Sequence, residues 1–274
     1  MSENWEIYGF RYARHDDRDE GTTFIDGQPG VDIGGMDYFF WALRSGERTI
    51  VVDTGANSAK MPPRGRRSLI EPEAALAGVG IDAAEVTEVF LTHAHWDHIG
   101  NLDLFPKAHF WMQAREMASI TGPDMTYKKI RGAYQPDEVQ RLVGLLYENR
   151  LTFLEGDGAF APGVDYVLLA GHSAGQTGLR VQTERGPVLL ASDAVHYYRE
   201  IAEELTFAAF NDVKEMLASL RRCRAEVDGD WSRLLPGHDP IVSAAYPAET
   251  HLENGEPVAL RLDLAPTGPL ELRS

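Results

Sequence analysis

Six consecutive residues, His93-Ala94-His95-Trp96-Asp97-His98, place three imidazoles and a carboxylate directly after a short β-type run over 86–91. A run of that length with Val86, Val89, Phe90 and Leu91 reads as a buried strand. Polar side chains at its mouth need partners, because an unpaired buried polar group costs free energy. Neutral imidazole nitrogen and carboxylate oxygen are preferred ligands of zinc and similar ions. Residues two apart in an extended turn point the same way, so His93 and His95 can grip one ion. Asp97 and His98 lie one turn further on and can reach a second. A lone histidine reads as an ordinary surface or core residue, but four ligand-type residues in six positions are too many for a charged loop.

A second ion needs ligands from elsewhere, and the chain offers them in similar settings. Gly171-His172-Ser173 follows a strand-like run over 165–169, Ser192-Asp193 follows one over 188–191, and Gly237-His238 follows one over 233–235. Each alone reads as structural. Together they stand at C-terminal ends of strands, where side chains from separate strands converge on one edge.

The rest of the chain reads as two β-rich halves around a helical middle. Strands are expected over 5–14, 38–43 and 49–52 in the first half, and over 151–154, 165–169, 178–183 and 188–191 in the second. A turn at Ser45-Gly46-Glu47 and a hairpin at Glu184-Arg185-Gly186 join neighbouring strands. Helical spacing covers 71–77, 113–120, 137–148 and 211–227, with Pro72 and Pro136 at first-turn positions. The stretch 56–67 carries Met61-Pro62-Pro63-Arg64-Gly65-Arg66-Arg67 and is too proline-rich for a helix; its basic end, 64–67, reads first as a solvated loop, with a cap over the pocket that attracts an anionic substrate as the alternative.

Composition narrows the partners. The formal net charge of −16 over 274 residues disfavours nucleic acid, whose affinity comes from clustered Lys and Arg. With one cysteine, Cys223, no intramolecular disulfide forms, and its place in the 211–227 helix reads as a packed thiol. No apolar stretch approaches the ~20 residues that span a bilayer, and the polar start, 1–17, lacks the character of a signal peptide. A cytoplasmic location and no membrane partner are therefore expected. Phe39, Phe40, Trp41 and Trp111 read as core and pocket wall without a way to divide them, and His15, His109 and His251 have no ligand-type neighbours.

At Val52-Asp53-Thr54-Gly55, Leu91-Thr92 with the histidine cluster and Ile99-Gly100-Asn101, Gly171-His172-Ser173, Ser192-Asp193 and Pro236-Gly237-His238, the sequence resembles the metallo-β-lactamase superfamily. The resemblance runs from about Tyr38 to Pro240 and departs from the usual pattern at Ala170, where proline often stands. It implies an α/β fold, a four-layer αβ/βα sandwich, in one domain over 1–274 with a helical insert at about 113–150. It implies two divalent metal ions, zinc foremost with manganese, iron or cobalt as alternatives. One is held by His93, His95 and His172, the other by Asp97, His98 and His238, with Asp193 and a hydroxide bridging them. Asp53 is the implied carboxylate behind the ligands.

Within the superfamily the chain is similar to the N-acyl-homoserine-lactone lactonases, which open a lactone by attack of the bridging hydroxide. Asp97 is the implied proton carrier to the leaving alkoxide. Those lactonases carry a tyrosine three residues after the bridging aspartate; here that position is His196, with Tyr197 and Tyr198 beside it, so His196 or Tyr197 is the candidate donor to the oxyanion. The expected partner is a small-molecule ester or lactone, and a dimer is the favoured oligomer. The rivals are an esterase, amidase or thioester hydrolase on the same site, a one-metal iron oxygenase, and a non-catalytic binding module. The Pro- and Gly-rich 241–274 does not resemble the helical substrate domain of the thioester hydrolases.

Overall fold

The computed structural model describes residues 3–270. Its strands, in chain order, are β1 (Glu6–His15), β2 (Met36–Ser45), β3 (Arg48–Val52), β4 (Arg67–Ser68), β5 (Glu88–Phe90), β6 (His109–Gln113), β7 (Leu151–Leu154), β8 (Gly158–Ala161), β9 (Val164–Leu168), β10 (Thr177–Thr183), β11 (Gly186–Ser192), β12 (Leu234–Pro236), β13 (Ala248–His251) and β14 (Pro257–Arg261). They form two sheets. The first runs β13-β14-β1-β2-β3-β5-β6-β7, with β4 added against β1; the second runs β12-β11-β10-β9-β8.

Residue alternation explains why the sheets stack. Along β2, Tyr38, Phe40 and Ala42 enter one apolar cluster and Phe39, Trp41 and Leu43 the other, as the two-residue repeat of a strand requires. On the first face they meet the helices α2 (Pro72–Ala77), α3 (Ala114–Ile120) and α5 (Pro136–Tyr147), through Leu76, Met117, Ile120, Leu142 and Leu145. On the second face they meet Val164, Leu179, Val181, Val188 and Leu190 of the other sheet. The outer side of that sheet is covered by α6 (Tyr198–Glu203), α7 (Val213–Glu226) and α8 (Pro240–Ala245), through Ile201, Leu220, Cys223 and Val242. Helix, sheet, sheet, helix: this is the αβ/βα sandwich. Two further short helices, α1 (Glu20–Thr23) and α4 (Lys128–Arg131), lie on connections.

Several expectations are corrected. Phe39, Phe40 and Trp41 are all core, and Trp111 packs against the inter-sheet cluster. The run 86–91 contributes only three residues of strand, since Leu91 already bonds across to the carbonyl of Trp111. The helix starting at Gln113 starts at Ala114, because Gln113 closes the unforeseen strand β6. The proline-rich stretch makes two 3₁₀ turns, Ser58–Lys60 and Pro62–Arg64. The stretch from 240 supplies α8 and the strands β13 and β14, with β14 antiparallel to β1 and β13 at the sheet edge. No described helix is long and apolar enough to cross a membrane.

Phe40 is fully buried and stacks on Phe10 with ring centroids 4.8 Å apart. Phe40→Ala should therefore cost about 3–5 kcal/mol of stability, measured by denaturant unfolding.

Candidate metal centre

The parallel pairs β3–β5 and β11–β12 bring C-terminal strand ends to a common edge. Asp53 follows β3, residues 93–98 follow β5, His172 follows β9, Asp193 follows β11 and His238 follows β12. All seven side chains expected as ligands are buried there. Asp193 is their hub. Its Oδ2 lies 3.1 Å from His238 Nε2, 3.3 Å from His172 Nε2, 3.4 Å from His196 Nε2 and 3.8 Å from His93 Nε2, and its Oδ1 lies 3.4 Å from His98 Nε2. His95 Nδ1 is 2.9 Å from His172 Nε2.

Two glycines make this convergence possible. A Cβ on Gly237 would collide with the Asp193 carboxylate. Gly171 has φ of +133°, and a Cβ there would run into the backbone of Met216 in α7. Its carbonyl accepts from the Asn211 and Asp212 amides, at 2.7 and 2.9 Å, and Ser219 Oγ donates to the neighbouring Ala170 carbonyl. The start of α7, capped by Asp212, thus clamps the loop that carries His172.

The imidazoles are oriented from behind. The Nδ1 of His172 donates to the Ala209 carbonyl at 2.9 Å, that of His238 to the Asp37 carbonyl at 2.7 Å, and that of His98 to Asp53 Oδ2 at 2.7 Å. Each turns its Nε2 inward, the tautomer a metal needs; that of His98 has no hydrogen-bond partner, while those of His172 and His238 lie 2.9 Å from His95 Nδ1 and 3.1 Å from Asp193 Oδ2. Asp53 also accepts from Thr92, through the amide at 2.8 Å and the hydroxyl at 2.7 Å, while sitting at a left-handed φ of 62°.

The fit to metal ions rests on what these atoms lack. His93 Nε2, His98 Nε2 and Asp193 Oδ1 are buried without a hydrogen-bond partner, and each such group costs about 1–3 kcal/mol. Among the described residues, His93-His95-His172, His93-His98-Asp193, Asp97-His98-His238 and His172-Asp193-His196 each bring their ligand atoms within 4.8 Å of one another. Burial and neighbouring imidazoles push His93 and His95 well below the ordinary imidazole value, which keeps them neutral. At His98 burial opposes the charge, but Asp193, Asp53 and Asp97 outweigh it and drive the group up. Burial works against ionised Asp193 as well, and His238, His98 and His196 hold it well below the usual carboxylate range. Such a donor set suits divalent cations.

Neither His196 nor Tyr197, the two candidate oxyanion donors, lines the cavity. Tyr197 donates its hydroxyl to the Gly35 carbonyl at 3.0 Å and packs edge-on to Phe24, because it caps α6 and faces away from the cluster. His196 is neither exposed nor on the cavity wall. Phe207 stacks over it at 3.6 Å, and its Nδ1 lies 3.2 Å from Glu200 Oε1. Burial disfavours the charged ring, yet Glu200 and Asp193 together raise His196 to about 9.

Over the cluster opens a cavity of about 220 Å³ whose floor includes His95, Asp97, His172, Asp193 and His238. Its aromatic walls are Tyr38, Trp96, Tyr134, Phe207 and Phe210, with Arg64 and Arg66 among the lining residues. The basic loop is therefore not merely solvated. Lys60 anchors it to α5 through Glu138 at 2.7 Å, and Arg64 lies over the Trp96 ring at 4.6 Å. His15, His109 and His251 stay out of the cluster.

Glu116 in α3 was not foreseen. Its buried carboxylate accepts from the Ala94 amide at 3.0 Å, the Ser173 hydroxyl at 2.8 Å and the Gly175 amide at 2.6 Å, tying the 93–98 loop to the His172 loop. In the sequence it is one more glutamate on a helix; only the crossing of two distant loops gives it a role.

A fold of two stacked sheets with a buried His/Asp cluster at one edge defines a class of metal-binding αβ/βα proteins. The metallo-beta-lactamase superfamily model matches residues 34–238, and the chain belongs to that superfamily. It is 28% identical to an N-acyl homoserine lactonase of a Bacillus species over 165 residues, which is 60% of each chain. An N-acyl homoserine lactonase of Azorhizobium caulinodans is 26% identical over 236 residues, 81% of this chain and 78% of that one. The crystal structure of a quorum-quenching N-acyl homoserine lactone lactonase superposes with a TM-score of 0.73 at 23% identity, covering 88% of this chain and 94% of that one, and so shares the fold.

Glu116→Gln puts an amide N–H against backbone donors. It should weaken metal binding roughly 10–100-fold with the circular-dichroism spectrum unchanged, as read by competition with a chromophoric chelator.

Proposed function

We propose that this protein is a metal-dependent hydrolase that opens a lactone or a related ester. The observation that carries this reading is the Asp193 carboxylate held among five imidazoles beneath a cavity, with lone pairs left bare. The lactonase names of the relatives support the ester-type bond, and an N-acyl-homoserine-lactone-like compound is the first substrate class to test. Two divalent ions, with zinc the first choice for so many imidazoles, would supply Lewis acidity and a water that ionises near neutral pH.

The protein's own groups do the rest. His93, His95 and His172 form one ligand set and Asp97, His98 and His238 the other, with Asp193 between them. Asp97 lies on the cavity floor with its backbone held by the Tyr12 hydroxyl at 2.8 Å. That fixes a carboxylate where it can take up the nucleophile's proton and return it to the leaving alkoxide. His196 acts as a positioning residue, holding Asp193 from one side while Glu200 holds His196 from the other. The hydroxyls on the cavity wall belong to Tyr38 and Tyr134, whose rings stand 4.9 Å from His238 and 4.7 Å from His95. These are the donors available to a developing oxyanion. Aromatic walls also exclude water from the reacting bond.

Metal-loaded protein should release acid from simple lactones in a pH-stat and lose that activity on chelation. Asp193→Ala should reduce kcat/KM by at least about a thousandfold. Tyr38→Phe or Tyr134→Phe, whichever supplies the oxyanion donor, should lower kcat by about 10²-fold with KM little changed. Turnover that survives complete metal removal would contradict the reading.

A further inference from the structure

The net charge of −16 makes the mouth of the cavity anomalous, for four cations line it: Arg18, Arg64, Arg66 and Lys129. Most of the arginines and lysines on this surface are paired with carboxylates, as Arg14, Arg48, Lys107, Arg141, Arg199 and Arg222 are. Arg18, Arg64, Arg66 and Lys129 have no carboxylate within 4.0 Å among the described residues. Their guanidinium contacts go to neutral groups: Arg18 to Thr23 Oγ1 and the Thr22 carbonyl, Arg64 to the Gly132 carbonyl at 3.3 Å, Arg66 to the Tyr38 hydroxyl at 2.7 Å.

They are also arranged, not scattered. Arg18 lies over Phe207, whose ring is 5.9 Å from that of His172. Arg66 binds Tyr38, whose ring is 4.9 Å from that of His238. Arg64 lies over Trp96 in the ligand loop itself. Each of these arginines stands one aromatic side chain out from the cluster. Burial pushes the Arg64 guanidinium down from its ordinary value, and the more distant Asp97 and Glu138 do not make up the loss. Nor does the cluster call for these cations: two divalent ions would already outweigh the charge of Asp53, Asp97 and Asp193.

We infer that the substrate carries an anionic oxygen group, a carboxylate or a phosphate, about one ring's width from the bond that is cleaved, and that these four cations receive it. The inference rests on the hydrolase reading and narrows it: neutral N-acyl homoserine lactones, which offer no such group, are not the preferred substrates. Guanidinium forks suit both anions, and the aromatic walls suit a flat spacer between anion and lactone.

The test compares phthalide carboxylate and phthalide phosphate with the neutral phthalide carboxamide, the carboxylate and the carboxamide being nearly the same in shape and different in charge. With zinc-loaded protein, kcat/KM for at least one anionic lactone should exceed that for the carboxamide by tenfold or more. The ratio should fall several-fold in Arg64→Gln and in Lys129→Gln. Calorimetry on metal-free protein should show the same anionic lactone binding at least tenfold more tightly than the carboxamide. Equal turnover and equal binding of charged and neutral lactones would overturn the inference. If no lactone is turned over, the hydrolase reading fails, and the calorimetric preference still decides whether the cations bind an anion.

Discussion

One buried carboxylate organises this molecule. Asp193 has imidazole nitrogens of His93, His98, His172, His196 and His238 within 3.1–3.8 Å, and no apolar packing rewards bringing so many polar rings together. The arrangement stands because the surroundings over-determine it. Asp53, Asp37, Ala209 and Thr92 fix the outer ring nitrogens, Glu116 staples two of the loops, and glycines at 171 and 237 leave room for backbones to approach. The sandwich supplies the rigidity: each strand that ends at the cluster is packed on both faces, so its terminal loop has little freedom.

The same economy separates what the site must hold from what it must admit. Inner nitrogens and the free Asp193 oxygen face inward, where burial makes unpaired lone pairs costly and a divalent cation welcome. Outside them come Tyr38, Trp96, Tyr134 and Phe207, an apolar sleeve that lowers the local dielectric and strengthens whatever electrostatics act within it. The arginines and the lysine form the outermost tier. A cluster that binds cations, wrapped in aromatics and rimmed with cations, sorts by charge along one short axis.

Much of this was legible in the sequence, for physical reasons. The candidate ligands are ligand-type residues at strand ends, so His93, His95, Asp97, His98, His172, Asp193 and His238 could be singled out, and the structure brings them together; Asp53 behind them came only from the resemblance. Long helices with clear periodicity, such as α5 and α7, were legible to within a few residues. What escaped was set by tertiary contact. β6 is short and runs straight into α3, so its strand character is swamped by the helical spacing beyond it. β13 and β14 lack clean alternation and become strands only by pairing with each other and, through β14, onto β1. Tyr197 and His196 sit one residue apart on a turn whose twist no spacing rule supplies, which is why the first turns to Gly35 and the second slips beneath Phe207. Arg18, Lys129 and Phe207 are far apart along the chain and gain meaning only around a common opening.

The central claim is that the His/Asp cluster exists to hold metal. Anomalous diffraction from crystals grown with zinc, collected on both sides of the zinc absorption edge, tests it most directly. The account predicts two peaks inside the cluster, one bounded by His93, His95 and His172 and the other by Asp97, His98 and His238, each next to Asp193. A map with no peak among these side chains, or with zinc only at surface carboxylates, would contradict it.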